Sequence, residues 1–409
     1  MSGIIGDLPK VCKKRLLVYW QKEKSSIYLI TSLLTIMRIA QIAPIAERVP
    51  PKKYGGTERV VDALTNELVD RGHEVTLFAS GDSSTKAKLV SVFPRATREA
   101  GVKDPHGINE WSLLNIVNAY KRQGEFDIIH DHNLPISALS ANFANTNVVA
   151  TIHGPISLAS KKVYSTLDKV NLITISDSQR RQGQGINIYE TVHHGLNFEN
   201  FPLGETSENF LLFVGRISFD KGLHHAIEIA QFLNIKLVIA AKLDLADKKY
   251  FDEYIAPSLS DGMIEWVGEV SEVERNQLYS KALCLINPIT WPEPFGLTMI
   301  EAMACGCPVV AFNHGSVAEI VVPGATGFIA NDVEEMIESV IEVARIDRRE
   351  TALYARANFN SQTMTDKYER IYQQILANQN TNALQSKISP TQLDLLLETR
   401  SLYRQKPRN

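Results

Sequence analysis

The residues best placed to do chemistry are two carboxylates in the run Trp291-Pro-Glu-Pro-Phe-Gly-Leu-Thr-Met-Ile-Glu301. Pro292 and Pro294 fix φ and keep Glu293 out of a helix, so it reads as a loop carboxylate just ahead of a helix N-terminus. Glu301 lies within Leu-Thr-Met-Ile-Glu-Ala-Met-Ala-Cys305, a stretch apolar nearly all round that predicts a buried helix. A buried carboxylate without partners is costly, so donors must wait for it. Two kinds fit: a neighbouring Arg or Lys in a structural ion pair, or the vicinal hydroxyls of a sugar or ribose.

A second constellation is Val214-Gly-Arg-Ile-Ser-Phe-Asp-Lys-Gly222, which reads as a strand, a tight loop and a helix start. Arg216 and Lys221 on that loop, with the free N–H groups of the next helix, suit a diphosphate. Two basic residues on a surface loop would have the same pattern. In Tyr54-Gly-Gly-Thr-Glu58, Gly55 and Gly56 leave room for a ligand to approach the backbone at another helix start, or simply make a turn. Thr151-Ile-His-Gly154 places His153 at a strand end, where a structural role competes with one at a cleft rim.

Other constellations fall away. His130-Asp131-His132 reads poorly as a metal site without further ligands, and His193-His194 and His224-His225 share that weakness. The chain contains no D-x-D, no G-x-x-x-x-G-K-[ST] and no G-x-G-x-x-G. The usual metal-bound nucleotide-sugar site, the P-loop and the dinucleotide fingerprint are therefore absent as motifs.

These residues need a scaffold, and the chain offers two copies of one pattern. From Met37, short apolar strands alternate with amphipathic helices, the mark of a parallel sheet covered on both faces. Strands are expected at Arg38–Ala43, Val75–Ala79, Ile128-Ile129, Val148–Ile152 and Leu172–Ile175, with a helix over Thr57–Asp70 stopped by Gly72. A polar stretch at Phe201–Asn209 reads as a linker. The alternation restarts at Leu211–Val214, Leu237–Ala240, Ile264–Val267, Cys284–Ile286 and Val309–Phe312. The expected fold class is thus α/β, with two tandem doubly wound, Rossmann-like domains facing a cleft, because ligands of such sheets sit beyond the strands' carboxyl ends. The expected boundaries are 1–36 (an extension outside the core), 37–205, 206–378, and a tail at 379–409.

Bulk properties narrow the function classes. With 409 residues, 44% hydrophobic and 22% charged, the chain has the length for two cores and a soluble composition. A net charge of −3 argues against a general nucleic-acid binder, which needs excess cations to neutralise phosphate. Between Met37 and Glu205, 18 Lys and Arg balance 18 Asp and Glu, so composition gives no support for peripheral membrane contact. The leader carries Lys10, Lys13, Lys14, Arg15, Lys22 and Lys24, and then an apolar run from Ile27 to Ile36 too short and interrupted to span a membrane. Cys12, Cys284, Cys305 and Cys307 fit neither a zinc ribbon nor a redox pair, which suggests reduced, structural cysteines and a cytoplasmic setting. Near the end, Met364, Tyr368, Ile371 and Ile375 trace a helical stripe. An Asn/Gln-rich gap follows, and Ser389-Pro390-Thr391-Gln392 could open a further helix with Leu393, Leu396 and Leu397 on one side.

Taken together, the four signals resemble the family 4 glycosyltransferases of the two-domain GT-B type. The resemblance runs from about Met37 to Leu376 and rests on the E-x7-E pair Glu293/Glu301 followed by Met-Ala-Cys-Gly-Cys-Pro-Val-Val310. Gly215-Arg216 with Lys221, and Val192-His-His-Gly-Leu-Asn197, support it. It implies retaining transfer of a hexose-type sugar from a nucleotide sugar, with UDP the default nucleotide, and with no metal or other cofactor. Arg216 and Lys221 would hold the donor diphosphate, Glu301 the ribose hydroxyls and Glu293 the sugar hydroxyls. The N–H groups of Phe295, Gly296 and Leu297 would orient the sugar, His153 would sit near it on the opposite wall, and Gly55 and Gly56 would offer backbone donors near phosphate and acceptor. The leaving phosphate oxygen can then take the acceptor proton, leaving positioning and charge stabilisation as the protein's task. The acceptor stays open: glycan, lipid or small metabolite. His314-Gly315-Ser316-Val-Ala-Glu319 departs from the paired glycines of many relatives. The competing reading is a non-catalytic nucleotide-sugar-binding protein or partner subunit on the same fold.

Overall fold

The computed structural model describes residues 36–387 apart from Tyr54, Lys103 and Asp261. The candidate leader run, Cys12 and the helix expected from Ser389 lie outside the described residues.

Two all-parallel sheets carry the chain. The first has the order β3-β2-β1-β4-β5-β6-β7, with β1 Arg38–Ile42, β2 Glu74–Phe78, β3 Lys88–Val90, β4 Ile128–Asp131, β5 Asn147–Thr151, β6 Val170–Thr174 and β7 Ile188–Thr191. The second runs β10-β9-β8-β11-β12-β13, with β8 Phe210–Arg216, β9 Lys236–Lys242, β10 Ile264–Trp266, β11 Cys284–Asn287, β12 Val309–Phe312 and β13 Gly327–Ala330. Each order reverses direction once, between β1 and β4 and between β8 and β11, and that switch point opens a crevice at the strands' carboxyl ends. The central strands are buried on both faces, β4, β11 and β12 along their whole length, which is why β12 and most of β11 read as continuous apolar runs.

Local sequence explains the helices that matter. Helix α1, Gly56–Asp70, buries Val60, Val61, Ala63, Leu64 and Leu68 on one stripe. It closes with Gly72 N donating to Val69 O (2.9 Å) and His73 N to Leu68 O (3.1 Å), the paired bonds of a Schellman motif. Helix α2, Glu272–Lys281, starts with a capping box in which Ser271 and Glu274 satisfy each other's backbone donors. Helix α3, Leu297–Ala304, is nearly all buried.

The expected linker at Phe201–Asn209 contains no helix or strand, yet it is not free. Gly204 N donates to Cys305 O (3.0 Å), Glu208 N to Lys281 O (2.7 Å), and Arg356 to Phe201 O (2.8 Å). The Asn/Gln-rich gap is corrected by the structure: helix α4 runs unbroken over Ser361–Lys387. Asn and Gln are tolerable helix residues when no Gly or Pro interrupts them. Assigning 206–378 to one lobe follows chain order, but the start of α4 contacts the first sheet. Tyr372 and Tyr368 bond His130 and Thr151, and Arg71 pairs with Asp366 (2.6 Å) and Glu369 (2.9 Å). Cys284, Cys305 and Cys307 are free and buried, and burial raises each thiol's pKa well out of the reactive range. No helix among the described residues is long and apolar enough to cross a membrane.

Candidate active site

The two crevices face each other across one cleft of about 760 Å³. On the second-lobe side, β8 ends at Arg216, in register with Lys242 at the end of β9. The Arg216 guanidinium is held loosely, at 3.6 Å from Asp220 and 3.8 Å from Asp247, and its Nε has no hydrogen-bond partner among the described residues. Lys221 ion-pairs with Glu293 and sits 5.5 Å from the Trp291 ring centroid.

The Glu293 loop is pinned from behind. Gly315 (φ 62°) presses so close that a Cβ there would lie 2.2 Å from Glu293 O. Ser316 N donates to that same carbonyl at 3.2 Å, and Ser316 Oγ to Phe295 O at 2.5 Å. The His314-Gly315-Ser316 departure therefore builds a brace under the carboxylate. Beyond it, Met299 N closes the first turn of α3 on Gly296 O (3.1 Å), and the helix start at Gly296 and Leu297 lines the cleft.

Glu301, one turn further into α3, is almost fully buried. Its Oε1 accepts Arg59 Nη1 at 2.5 Å and lies 3.4 Å from Arg275 Nη2, while Tyr279 OH is 3.5 Å from Oε2. Arg59 comes from α1 in the other lobe and also donates to Lys53 O at 2.6 Å. Arg275 is set by α2 and its capping box. The free protein thus satisfies the buried acid by ion pairing, one of the two partner classes its sequence allows.

The first-lobe wall is different in kind. His153, just past β5, hydrogen-bonds through Nε2 to His132 Nδ1 (2.9 Å), and His132 Nε2 to Gln41 Oε1 (2.7 Å). His194 stacks on His153 at 5.1 Å and meets Phe295 edge-on at 5.1 Å. Burial pushes the His153 pKa down to about 3 and those of His130, His132 and His194 well below the usual histidine value, so all four imidazoles are neutral at pH 7. His130 is engaged by Tyr372 (2.6 Å) and Thr151 (2.7 Å), and Asp131 by Tyr120 (2.8 Å) and Asn133, so this H-D-H run is a structural network.

At the start of α1, Gly55 (φ 150°) has no space for a side chain, since a Cβ would lie 2.7 Å from Pro51 and 3.1 Å from Glu58 Oε2. Packing alone therefore accounts for glycine there. Tyr54 lies outside the described residues. Glu58 is buried beside this turn, and burial raises its pKa to about 7.

All ten residues singled out from sequence line this one cleft: Gly55, Gly56, His153, Arg216, Lys221, Glu293, Phe295, Gly296, Leu297 and Glu301. Sequence reasoning missed Arg59, Arg275, Glu58 and the Gln41–His132 pair. Arg59 directly follows the Gly-Gly-Thr-Glu run, but nothing local says that it reaches a residue 242 positions away. His130 and His132, two positions apart at the end of β4, have ring centroids 4.1 Å apart.

Comparison with known proteins agrees with this geometry. Residues 54–194 match the family described as Glycosyltransferase Family 4, and residues 197–358 the family described as Glycosyl transferases group 1. A glycogen synthase of Mycobacterium tuberculosis is 26% identical over 81% of this chain and 94% of its own length. A phosphatidyl-myo-inositol mannosyltransferase of Mycolicibacterium smegmatis is 23% identical over 79% and 88%. The crystal structure of the Anabaena protein HepE in complex with UDP and glucose superposes with a TM-score of 0.63 at 17% identity, covering 82% of this chain and 99% of that one. With both lobes matched in chain order and the GT-B arrangement of two facing parallel sheets, the chain belongs to the family 4 type of glycosyltransferases.

Proposed function

We propose that this glycosyltransferase moves a hexose-type sugar from a UDP-sugar to its acceptor with retention of configuration and without a metal ion. The observation that carries the reading is the second-lobe wall, where Arg216, Lys221 and the N-terminus of α3 converge on one cleft with two carboxylates. Arg216 is free to bind an anion, because its own acidic neighbours lie beyond good hydrogen-bond distance. Lys221 would exchange Glu293 for the diphosphate, releasing that carboxylate to the sugar's hydroxyls. Glu301 would exchange Arg59 for the ribose while Arg275 stays.

The chemistry then follows from charge. As the glycosidic bond to phosphate breaks, negative charge grows on the leaving diphosphate, and Arg216, Lys221 and the helix N-terminus stabilise it. These cations meet the charge that a divalent ion meets in D-x-D enzymes. The leaving phosphate oxygen accepts the acceptor's proton on the same face, and the neutral imidazole of His153 faces the sugar. HepE, bound to UDP and glucose, supports UDP as the first nucleotide to try. Relatives of comparable similarity act, by name, on a polysaccharide and on a phosphoinositide, so glycan, lipid and small-metabolite acceptors are all to be tested.

A thermal-shift panel of UDP-, GDP- and ADP-sugars, followed by turnover in EDTA and assignment of the product anomer, tests the reading. UDP-sugars should raise the melting temperature most, turnover should persist in chelator, and the product should keep the donor's anomeric configuration. Activity lost in EDTA and restored by Mg²⁺ or Mn²⁺, or an inverted product, would overturn it.

A further inference from the structure

We propose that Gln41 is a positioning residue: through His132 it holds His153, whose side chain lines the cleft, in the tautomer with a bare Nδ1, so that this wall selects a ligand hydroxyl. The inference rests on the donor reading above for the identity of the ligand, but its first half concerns the protein alone.

The argument follows protons along one chain of hydrogen bonds. Gln41 is fully buried on β1, and its carbonyl Oε1 lies 2.7 Å from His132 Nε2. A carbonyl oxygen only accepts, so His132 Nε2 carries the hydrogen. In a neutral imidazole the other nitrogen is then bare, and His132 Nδ1 must accept. Its partner at 2.9 Å is His153 Nε2, which therefore donates. That leaves Nδ1 of His153 as a lone pair. This atom is buried, has no hydrogen-bond partner among the described residues, and belongs to a side chain lining the cleft. Burial keeps both rings neutral, with His153 pushed down to about 3, so neither breaks the alternation by taking a second proton.

A buried lone pair lacking a donor is costly, and the cleft is where a donor can come from. Water or a ligand hydroxyl satisfies it; a phosphate or carboxylate oxygen, itself an acceptor, is repelled. The wall thus favours the hydroxyl-bearing sugar over the charged end of the same donor. Discrimination of this kind is sharp, because a site built to pair a hydroxyl rejects a group that cannot donate. Gln41 touches no ligand; it acts only by fixing which nitrogen is bare.

The test is ¹⁵N-histidine NMR of the full chain, with His132 and His153 assigned by single substitutions. Gln41→Met keeps the side-chain length without the acceptor, and Gln41→Leu is a second variant should the first fold poorly. Wild type should show both rings as Nε2–H tautomers, and the variants should mix or reverse them. In parallel, the variants should weaken UDP-glucose binding about 3- to 10-fold, on the scale of one hydrogen bond, while UDP binding stays unchanged. His153 carrying its hydrogen on Nδ1 in wild type, tautomers unmoved by loss of Gln41, or equal weakening of UDP and UDP-glucose would each overturn the proposal. Failure of wild type to bind UDP at all would instead sink the donor reading, and the tautomer spectra would still decide the role of Gln41.

Discussion

The two walls of the cleft share ion-paired charge but differ in what else they carry. The second lobe presents formal charges, with Arg216, Lys221, Glu293, Glu301 and Arg275 within one crevice. The first adds Arg59, which reaches across to Glu301, and beside it a stack of neutral imidazoles, His132, His153 and His194, linked to one another and to Gln41. Both walls sit at the switch point of a parallel sheet, so the fold does not explain the contrast. Burial and partners do. The cleft's cations and carboxylates satisfy one another, Lys221 with Glu293 and Arg59 of the first lobe with Glu301, in pairs that a ligand can exchange. The first-lobe histidines are buried without any carboxylate partner, so they stay uncharged. A donor that is a dianion at one end and a neutral polyol at the other matches that division.

The sharpest way to break the comparison is Glu301→Gln, which strands Arg59 and Arg275 against an amide. Removing one partner of a buried pair costs roughly 3–5 kcal/mol, so the free protein should lose that much stability in denaturant unfolding. If Glu301 also receives the ribose, UDP affinity should fall by about 1.5–3 kcal/mol. Unchanged UDP affinity with a large loss of stability would confine Glu301 to structure.

Arg216→Ala comes next, with an expected fall in kcat of about 10²–10³, seen in initial rates of UDP release, and a small change in melting temperature. A fall confined to KM would show that the arginine binds donor and transition state alike.

On the first-lobe side, Glu58→Gln probes a buried acid whose pKa is raised to about 7 from 4.5. Between those values the folded protein holds more protons than the unfolded chain, so stability declines as pH rises from 4.5 through 7. The amide should be more stable than wild type by about 3 kcal/mol above pH 7, and the advantage should vanish below pH 4.5. An advantage independent of pH would contradict this.

The histidine wall predicts a smaller effect of opposite sense. His153 falls from 6.5 to about 3 on folding, so the unfolded chain binds the extra proton and stability is lost as pH drops below 6.5. This one group accounts for about 2 kcal/mol at pH 5, and His130, His132 and His194 shift in the same direction. His153→Gln should flatten the acid limb of the stability profile.

Much of this molecule was legible in advance, and the omissions have a common cause. The buried strands were readable because double-sided burial writes a continuous apolar run. The strands not anticipated, β3, β7 and β13, are all at sheet edges, where residues such as Lys88-Leu-Val90 and Ile188-Tyr-Glu-Thr191 are partly exposed and carry no such signal. In the site, loop carboxylates and cations next to Gly and Pro announced themselves, since local backbone constraints are written locally. Arg59 and Gln41 did not, because each acquires meaning only from a partner that the tertiary fold brings to it. The same holds for Arg275, which reaches Glu301 only because α2 and α3 are brought together.

The central claim is that the cations that meet the diphosphate belong to the second lobe and the neutral imidazoles that meet the sugar to the first. Calorimetric titration of UDP in EDTA, on wild type, Arg216→Ala and His153→Ala, tests it most directly. Wild type should bind UDP without metal; Arg216→Ala should weaken binding at least tenfold, about 1.4 kcal/mol or more, and His153→Ala should stay within about twofold, as expected of a side chain proposed to meet the sugar and not the diphosphate. Equal losses in the two variants, or UDP binding that requires added Mg²⁺, would contradict the account.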